Sequence, residues 1–116
     1  MAVQRKHTKK RLSDVVVHNG VAYLSGQLAT NFDGDIHTQT QETLANIDRL
    51  LADVGSDKSK IISATIYLKD IGKDFGALNE VWETWVEEGT APARACVEAA
   101  MFDPRLLEIS VIAALD

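Results

Sequence analysis

The feature that most constrains this chain is Asn19-Gly20, set between two short β-forming runs, Asp14 to His18 and Val21 to Ser25. Both central residues of a two-residue hairpin turn need positive φ, so SDVVVHNGVAYLSG predicts an antiparallel β-hairpin. The chain therefore opens with a β-hairpin. After the turn-rich NFDGD, the apolar positions Leu44, Ile47, Leu51 and Val54 recur at helical spacing from His37 onward. Thr38 and Gln41 are placed to form a capping box, and Gly55 supplies the stop. Residues 61–68, IISATIYL, alternate as a strand does. Ile62, Ala64, Ile66 and Leu68 share one face and Ser63, Thr65 and Tyr67 the other, with Ile61 outside the pattern. From Lys73 the set Phe75, Leu78, Val81, Trp82, Trp85 and Val86 is again helical, and Gly89 ends it. ARACVEAAM and LLEISVIAAL read as two further strands separated by Phe102-Asp103-Pro104-Arg105.

The expected order is β-β-α-β-α-β-β. Two helices, each apolar on one side only, with a sheet of mixed connections predict a two-layer α+β domain carrying both helices on one sheet face. At 116 residues the chain has room for one domain, taken as residues 12–116, preceded by a basic, partly flexible arm at 1–11. The other sheet face is mixed in character, and both faces of the ARACVE strand read as at least half buried. That predicts an oligomer whose sheets pack together. The one cysteine, Cys96, cannot form an internal disulfide and points to a reducing compartment. The basic N-terminus has no apolar run behind it, and no segment approaches a membrane span, so the expectation is a cytoplasmic protein without membrane association.

Charge is unevenly spread. Arg5, Lys6, Lys9, Lys10 and Arg11 are five of 12 basic residues, so from Leu12 onward seven cations face 17 anions, a balance of −10. A body that acidic repels phosphate backbones, and no nucleic-acid partner is expected.

Arg94, Cys96 and Glu98 alternate along one strand and so share a face. An arginine fixed on a strand suits a planar carboxylate, which it grips with two parallel hydrogen bonds; the structural alternative is an ion pair with Glu98. Cys96 could be a nucleophile only with a base beside it; no histidine is close in sequence, and it reads rather as a small buried residue. Glu108, between Leu107 and Ile109 in an apolar strand, is a carboxylate that exchanges protons with water if desolvated, or a solvent-facing residue if not. His37 reads as a surface residue, and Trp82 and Trp85 as helix packing. The histidines have no ligand spacing and no phosphate-binding glycine loop is present, so neither a metal nor a cofactor is expected.

The segment Ala91 to Ala113, APARACVEAAMFDPRLLEISVIA, resembles the signature of the YjgF/RidA family, a P-A-R-x-C-V-E strand followed by an E-I-x-x-I-A strand. The resemblance extends to YLSGQ at Tyr23 to Gln27, to the Asn46-centred helix and to ATIYLKD, and is strongest with the family's short, YoaB-like subgroup. It implies a chorismate-mutase-like fold, a homotrimer with sheets lining a central barrel, and clefts at the subunit interfaces. It also implies hydrolytic deamination of 2-imino acids such as 2-iminopropanoate and 2-iminobutanoate to 2-keto acids and ammonia, without a cofactor. A keto-acid-binding module or sensor without catalysis is the alternative, and ribonuclease activity a third. By this resemblance Arg94 binds the substrate carboxylate, Cys96 lines the cleft, Glu108 positions or activates water, and Ser25 and Gly26 lie near the imine. The family's G-P-Y tyrosine falls at about Leu12 here, without the glycine-proline pair. The last turn is one residue shorter than in archetypal deaminases. A simple four-residue hairpin there would pair 94 with 113 and put Glu108 on the face opposite Arg94, unless a bulge corrects the register or Glu108 serves across a subunit boundary.

Overall fold

The computed structural model describes residues 2–116, which run as strands β1 (Gln4–Thr8), β2 (Ser13–His18) and β3 (Val21–Leu24), helix α1 (Ile36–Asp53), strand β4 (Ile61–Leu68), helix α2 (Ile71–Trp85), and strands β5 (Ala93–Glu98) and β6 (Leu107–Ala114). They form one six-stranded sheet in the order β1-β2-β3-β6-β4-β5. The predicted hairpin is present, with Asn19 and Gly20 at φ 52° and 75° and His18 opposite Val21. Both helices cover one sheet face. Leu44, Ile47 and Leu51 of α1 and Leu78 and Trp82 of α2 are buried with Val15, Ala22, Ala64, Ile66, Ile109 and Val111 of the sheet. Each such large side chain contributes roughly 1.5–3 kcal/mol on burial.

Several local expectations change. Part of the expected N-terminal arm is strand β1, antiparallel to β2 with Lys6 opposite Val15; its five residues are all exposed, which is why no apolar periodicity marked it. Helix α1 begins two residues before Thr38. Asp35 is its N-cap and accepts the Thr38 N–H at 2.9 Å, so there is no Thr38–Gln41 capping box. Helix α2 begins at Ile71, capped by Asp70, and ends at Trp85; Gly89, at φ 83°, lies in the turn beyond it. Phe75 faces solvent. A bulge in β4 shifts the register between Ile61 and Ser63, turning Ile61 into the core and leaving Ile62 50% exposed, the reverse of strict alternation.

The larger correction concerns the last two strands, which do not form a hairpin. β6 runs antiparallel between β3 and β4, and β5 lies outside β4, parallel to it. The cause is α2: a helix-length connection lets β5 pair in parallel with β4, and residues 99–106 then cross the end of β4. Ala99 N–H donates to Leu68 and Lys69 N–H to Leu106 at that crossing. β5 is thus an edge strand, and in the single chain it is exposed over most of its length rather than half buried on both faces.

The crossing segment is pinned by a residue the sequence did not flag. Gln39 of α1 is 1% exposed; its Nε2 donates to the carbonyls of Phe32, Gly34 and Pro104, and its Oε1 accepts the Leu106 N–H. One amide so fixes the point where β6, and with it Glu108, enters the sheet.

Candidate functional site

Register assigns each candidate to a face. Arg94 stands opposite Ala64, which stands opposite Val111, so Arg94 and Cys96 point to the helix-covered side at the sheet edge. Glu108 stands opposite Tyr67, on the uncovered side with Thr65 and Ser110. Arg94 and Glu108 are therefore on opposite faces of one chain, with β4 between their strands. The expected separation is present, although its cause is strand order and not a hairpin register.

On the edge, Arg94 Nη1 donates to Asn79 Oδ1 of α2 at 2.9 Å, and its guanidinium lies 5.3 Å from the centre of the Trp82 ring. The ion pair with Glu98 does not form. Glu98 Oε1 instead accepts the Ile71 N–H at 3.0 Å, and no carboxylate pairs with Arg94 among the described residues. The guanidinium is thus oriented by an amide and an aromatic face while its charge stays unneutralised. Burial pushes the Cys96 thiol up from its ordinary value, against the opposing pull of the Arg94 charge. It stays a neutral thiol near pH 7, which argues against a nucleophile.

On the uncovered face, Glu108 lies directly over Gly26: a Cβ there would sit 2.0 Å from the Glu108 Oε2 atom. Gly26 is needed for that close approach. Its neighbours tie the segment to the sheet, since Gln27 exchanges backbone hydrogen bonds with Ile109 at 2.7 and 3.0 Å. Ser25 Oγ donates to the Ser13 carbonyl at 2.6 Å, next to Leu12, which stands exposed at the turn before β2. A hollow of about 330 Å³ opens beside Glu108, lined by Tyr67, Ala99, Met101 and Ser110 among others. The chain thus brings together Ser25, Gly26 and Glu108, with Leu12 nearby, and separately Arg94 and Cys96. Asn79, Trp82 and Tyr67 were not read as site residues; the signal available for the first two was their helical spacing, which places them on one side of α2.

Trp82 is indeed packed, with its ring 5.3 Å from that of Trp85, but it also underlies Arg94. His37 is exposed and bonds Glu80 at 3.1 Å. Among the described residues no group of three His, Cys, Asp or Glu is disposed to hold a metal ion, and no helix is long and apolar enough to cross a membrane.

Two helices on one face of a mixed six-stranded sheet define a chorismate-mutase-like α+β domain. The family model described as endoribonuclease L-PSP matches residues 3–115. The RutC family protein YoaB of Escherichia coli is 43% identical over 116 residues, covering 99% of this chain and 100% of that protein. A YjgF-family protein from Neisseria meningitidis superposes with a TM-score of 0.95 at 42% identity, covering 100% of this chain and 97% of that one. An uncharacterized protein from Pseudomonas aeruginosa gives 0.94 at 40% identity, covering 99% and 100%. The chain belongs to the YjgF/RutC family.

Proposed function

We propose that this protein is a homotrimeric deaminase that hydrolyses 2-imino acids of the 2-iminopropanoate and 2-iminobutanoate class to 2-keto acids and ammonia. The observation that carries the reading is Arg94, a guanidinium oriented by Asn79 and Trp82 with no carboxylate partner among the described residues to neutralise it. Such a group fits the carboxylate of a small acid through two parallel hydrogen bonds. Because Arg94 sits on an open edge strand and Glu108 on the uncovered face, a complete site takes Arg94 and Cys96 from one subunit and Ser25, Gly26, Glu108 and Leu12 from the next. The uncovered face supports this assembly, since Tyr23, Thr65, Tyr67, Ala95 and Val97 make it largely uncharged and suited to packing against copies of itself.

The chemistry asks little of the protein. The protonated imine carbon is already electrophilic. Water, positioned by Glu108, adds to it; the new C–O bond forms, the C=N π electrons move to nitrogen, and Glu108 takes a proton from the water. That proton passes to the nitrogen, the C–N bond breaks, and ammonia leaves as the remaining hydroxyl loses its proton to become the keto oxygen. The reaction is redox-neutral and consumes only water. Orientation by Arg94 and proton transfer by Glu108 supply the acceleration. Cys96 lines the site as a neutral thiol.

The test is keto-acid and ammonia release from 2-iminopropanoate and 2-iminobutanoate generated in situ, with wild type, Arg94→Ala and Glu108→Ala at matched oligomer content. Turnover above the uncatalysed rate, abolished by Arg94→Ala, is expected. A folded wild type that binds keto acids without turnover would make the protein a carboxylate-binding module instead. The ribonuclease in the family's description meets the −10 balance beyond Leu12, which repels an RNA backbone.

A further inference from the structure

We infer that Tyr67 is a further residue of the hydrolytic site, its phenol oxygen accepting the second hydrogen of the water that Glu108 deprotonates. The inference rests on the deaminase reading and adds to it the group that aims the water. β6 lies between β3 and β4, so Glu108 has a neighbour on each side along the uncovered face. On the β3 side is Gly26, close enough that a Cβ there would lie 2.0 Å from Oε2. On the β4 side is Tyr67, directly opposite Glu108 in the register. Side chains so opposed leave an antiparallel pair about 4.5–5.5 Å apart at Cβ. Tyr67 and Glu108 nonetheless do not bond each other; both line the hollow of about 330 Å³, together with Ser110. Among the described residues no group bonds the Tyr67 hydroxyl, the Glu108 carboxylate or the Ser110 hydroxyl, and none of these atoms is sealed from water. Two polar groups held opposite each other, out of contact and facing one cavity, fit a bridging water.

The chemistry asks for that second acceptor. Water attacks through an oxygen lone pair, and the lone pair is aimed at the imine carbon when both O–H bonds are held. Glu108 holds one and takes its proton; Tyr67 Oη holds the other. The phenol gains no proton and keeps its own, so the water proton still passes through Glu108 to the nitrogen. Ser110 shares the face but stands two residues along β6 from Glu108, roughly 7 Å at strand rise, and Thr65 lies opposite Ser110. Packing of this face against another copy removes bulk water from the hollow. A phenol so enclosed keeps a hydrogen-bond partner, which the bound water provides.

The experiment is turnover of 2-iminobutanoate, supplied in situ over a range of steady-state levels, by the full-length protein at matched oligomer content. The variants are Tyr67→Phe, Ser110→Ala, Glu108→Ala and Tyr67→Phe combined with Glu108→Ala. Tyr67→Phe keeps the ring and removes only the oxygen. It is expected to lower kcat at least about tenfold while KM, set by Arg94, stays within about twofold. Ser110→Ala should cost less than about threefold, and Tyr67→Phe should cost nothing further in the Glu108→Ala background, since both act on one water. Undiminished kcat in Tyr67→Phe overturns the inference, as does a loss confined to KM, a loss that multiplies in the double variant, or a larger loss in Ser110→Ala. Wild type that turns over while Tyr67→Phe matches it removes the role of Tyr67 alone. A folded wild type without turnover removes the deaminase reading and this inference with it.

Discussion

Gly26→Ala isolates the placement of the Glu108 carboxylate from everything else the site does. The added Cβ would lie 2.0, 2.6 and 2.8 Å from Oε2, Cδ and Cγ of Glu108, while ordinary contact begins at 3.4 Å. The carboxylate must therefore retreat by at least about 1.4 Å, and with three atoms in the way the whole side chain has to swing. Forcing it off its rotamer costs about 0.5–1.5 kcal/mol. Gly26 does not have positive φ, so alanine fits its backbone and recovers about 0.4–1 kcal/mol by restricting the unfolded chain. The two nearly cancel, and the melting temperature should move by no more than about 8 °C. Activity is a different matter, because a misplacement of about 1 Å at a reacting group costs about a hundredfold. The assay is imine turnover by wild type, Gly26→Ala, Glu108→Ala and the double variant. The expectation is a fold loss near a hundred for Gly26→Ala and no further loss when it is added to Glu108→Ala, since both act through one carboxylate. Full activity in Gly26→Ala, or losses that multiply in the double variant, would refute the reasoning.

Gln39→Leu leaves the Leu106 N–H and three carbonyls without their partner, at about 1–3 kcal/mol for a buried unsatisfied group, and chemical denaturation should show a loss of at least about 3 kcal/mol. Cys96→Ala should retain activity, and iodoacetamide should alkylate Cys96 more slowly at pH 8 than an unstructured cysteine, because burial raises its thiol. The Asp35 carboxyl is held below its ordinary 3.8 by the Thr38 backbone hydrogen bond, so its contribution is present above that pH and fades as pH falls further. Asp35→Asn should accordingly lower the melting temperature at pH 7, and the difference from wild type should shrink in acid.

What the sequence made legible follows from which interactions are local. The hairpin turn at Asn19-Gly20 and the helical spacing of Leu44, Ile47 and Leu51 depend on neighbours within a few residues, and both are present. Strand β1 was not legible because Lys6 and Arg5 gain a ladder but no burial. The bulge that turns Ile61 inward depends on its partner strand, which alternation within β4 cannot show. The order β6-β4-β5 is likewise a property of α2 as a connection rather than of the strands themselves. For the site, residue types singled out Arg94 and Glu108, and the family resemblance added Ser25 and Gly26; opposite faces for Arg94 and Glu108 were expected from a hairpin register, whereas the strand order that produces them is visible only in the sheet. Asn79 and Trp82, which hold the guanidinium, are indistinguishable in sequence from ordinary helix residues.

The proposed site combines Arg94 of one subunit with Glu108 of another, a pairing that subunit complementation reads out directly. Arg94→Ala and Glu108→Ala chains, each inactive alone, are unfolded together, refolded as a mixture and assayed for release of 2-ketobutanoate from 2-iminobutanoate. Mixed trimers contain some interfaces with both native residues, so the account predicts recovery of a substantial fraction of wild-type turnover. Mixed oligomers, verified by mass spectrometry, that stay as inactive as either parent would contradict it.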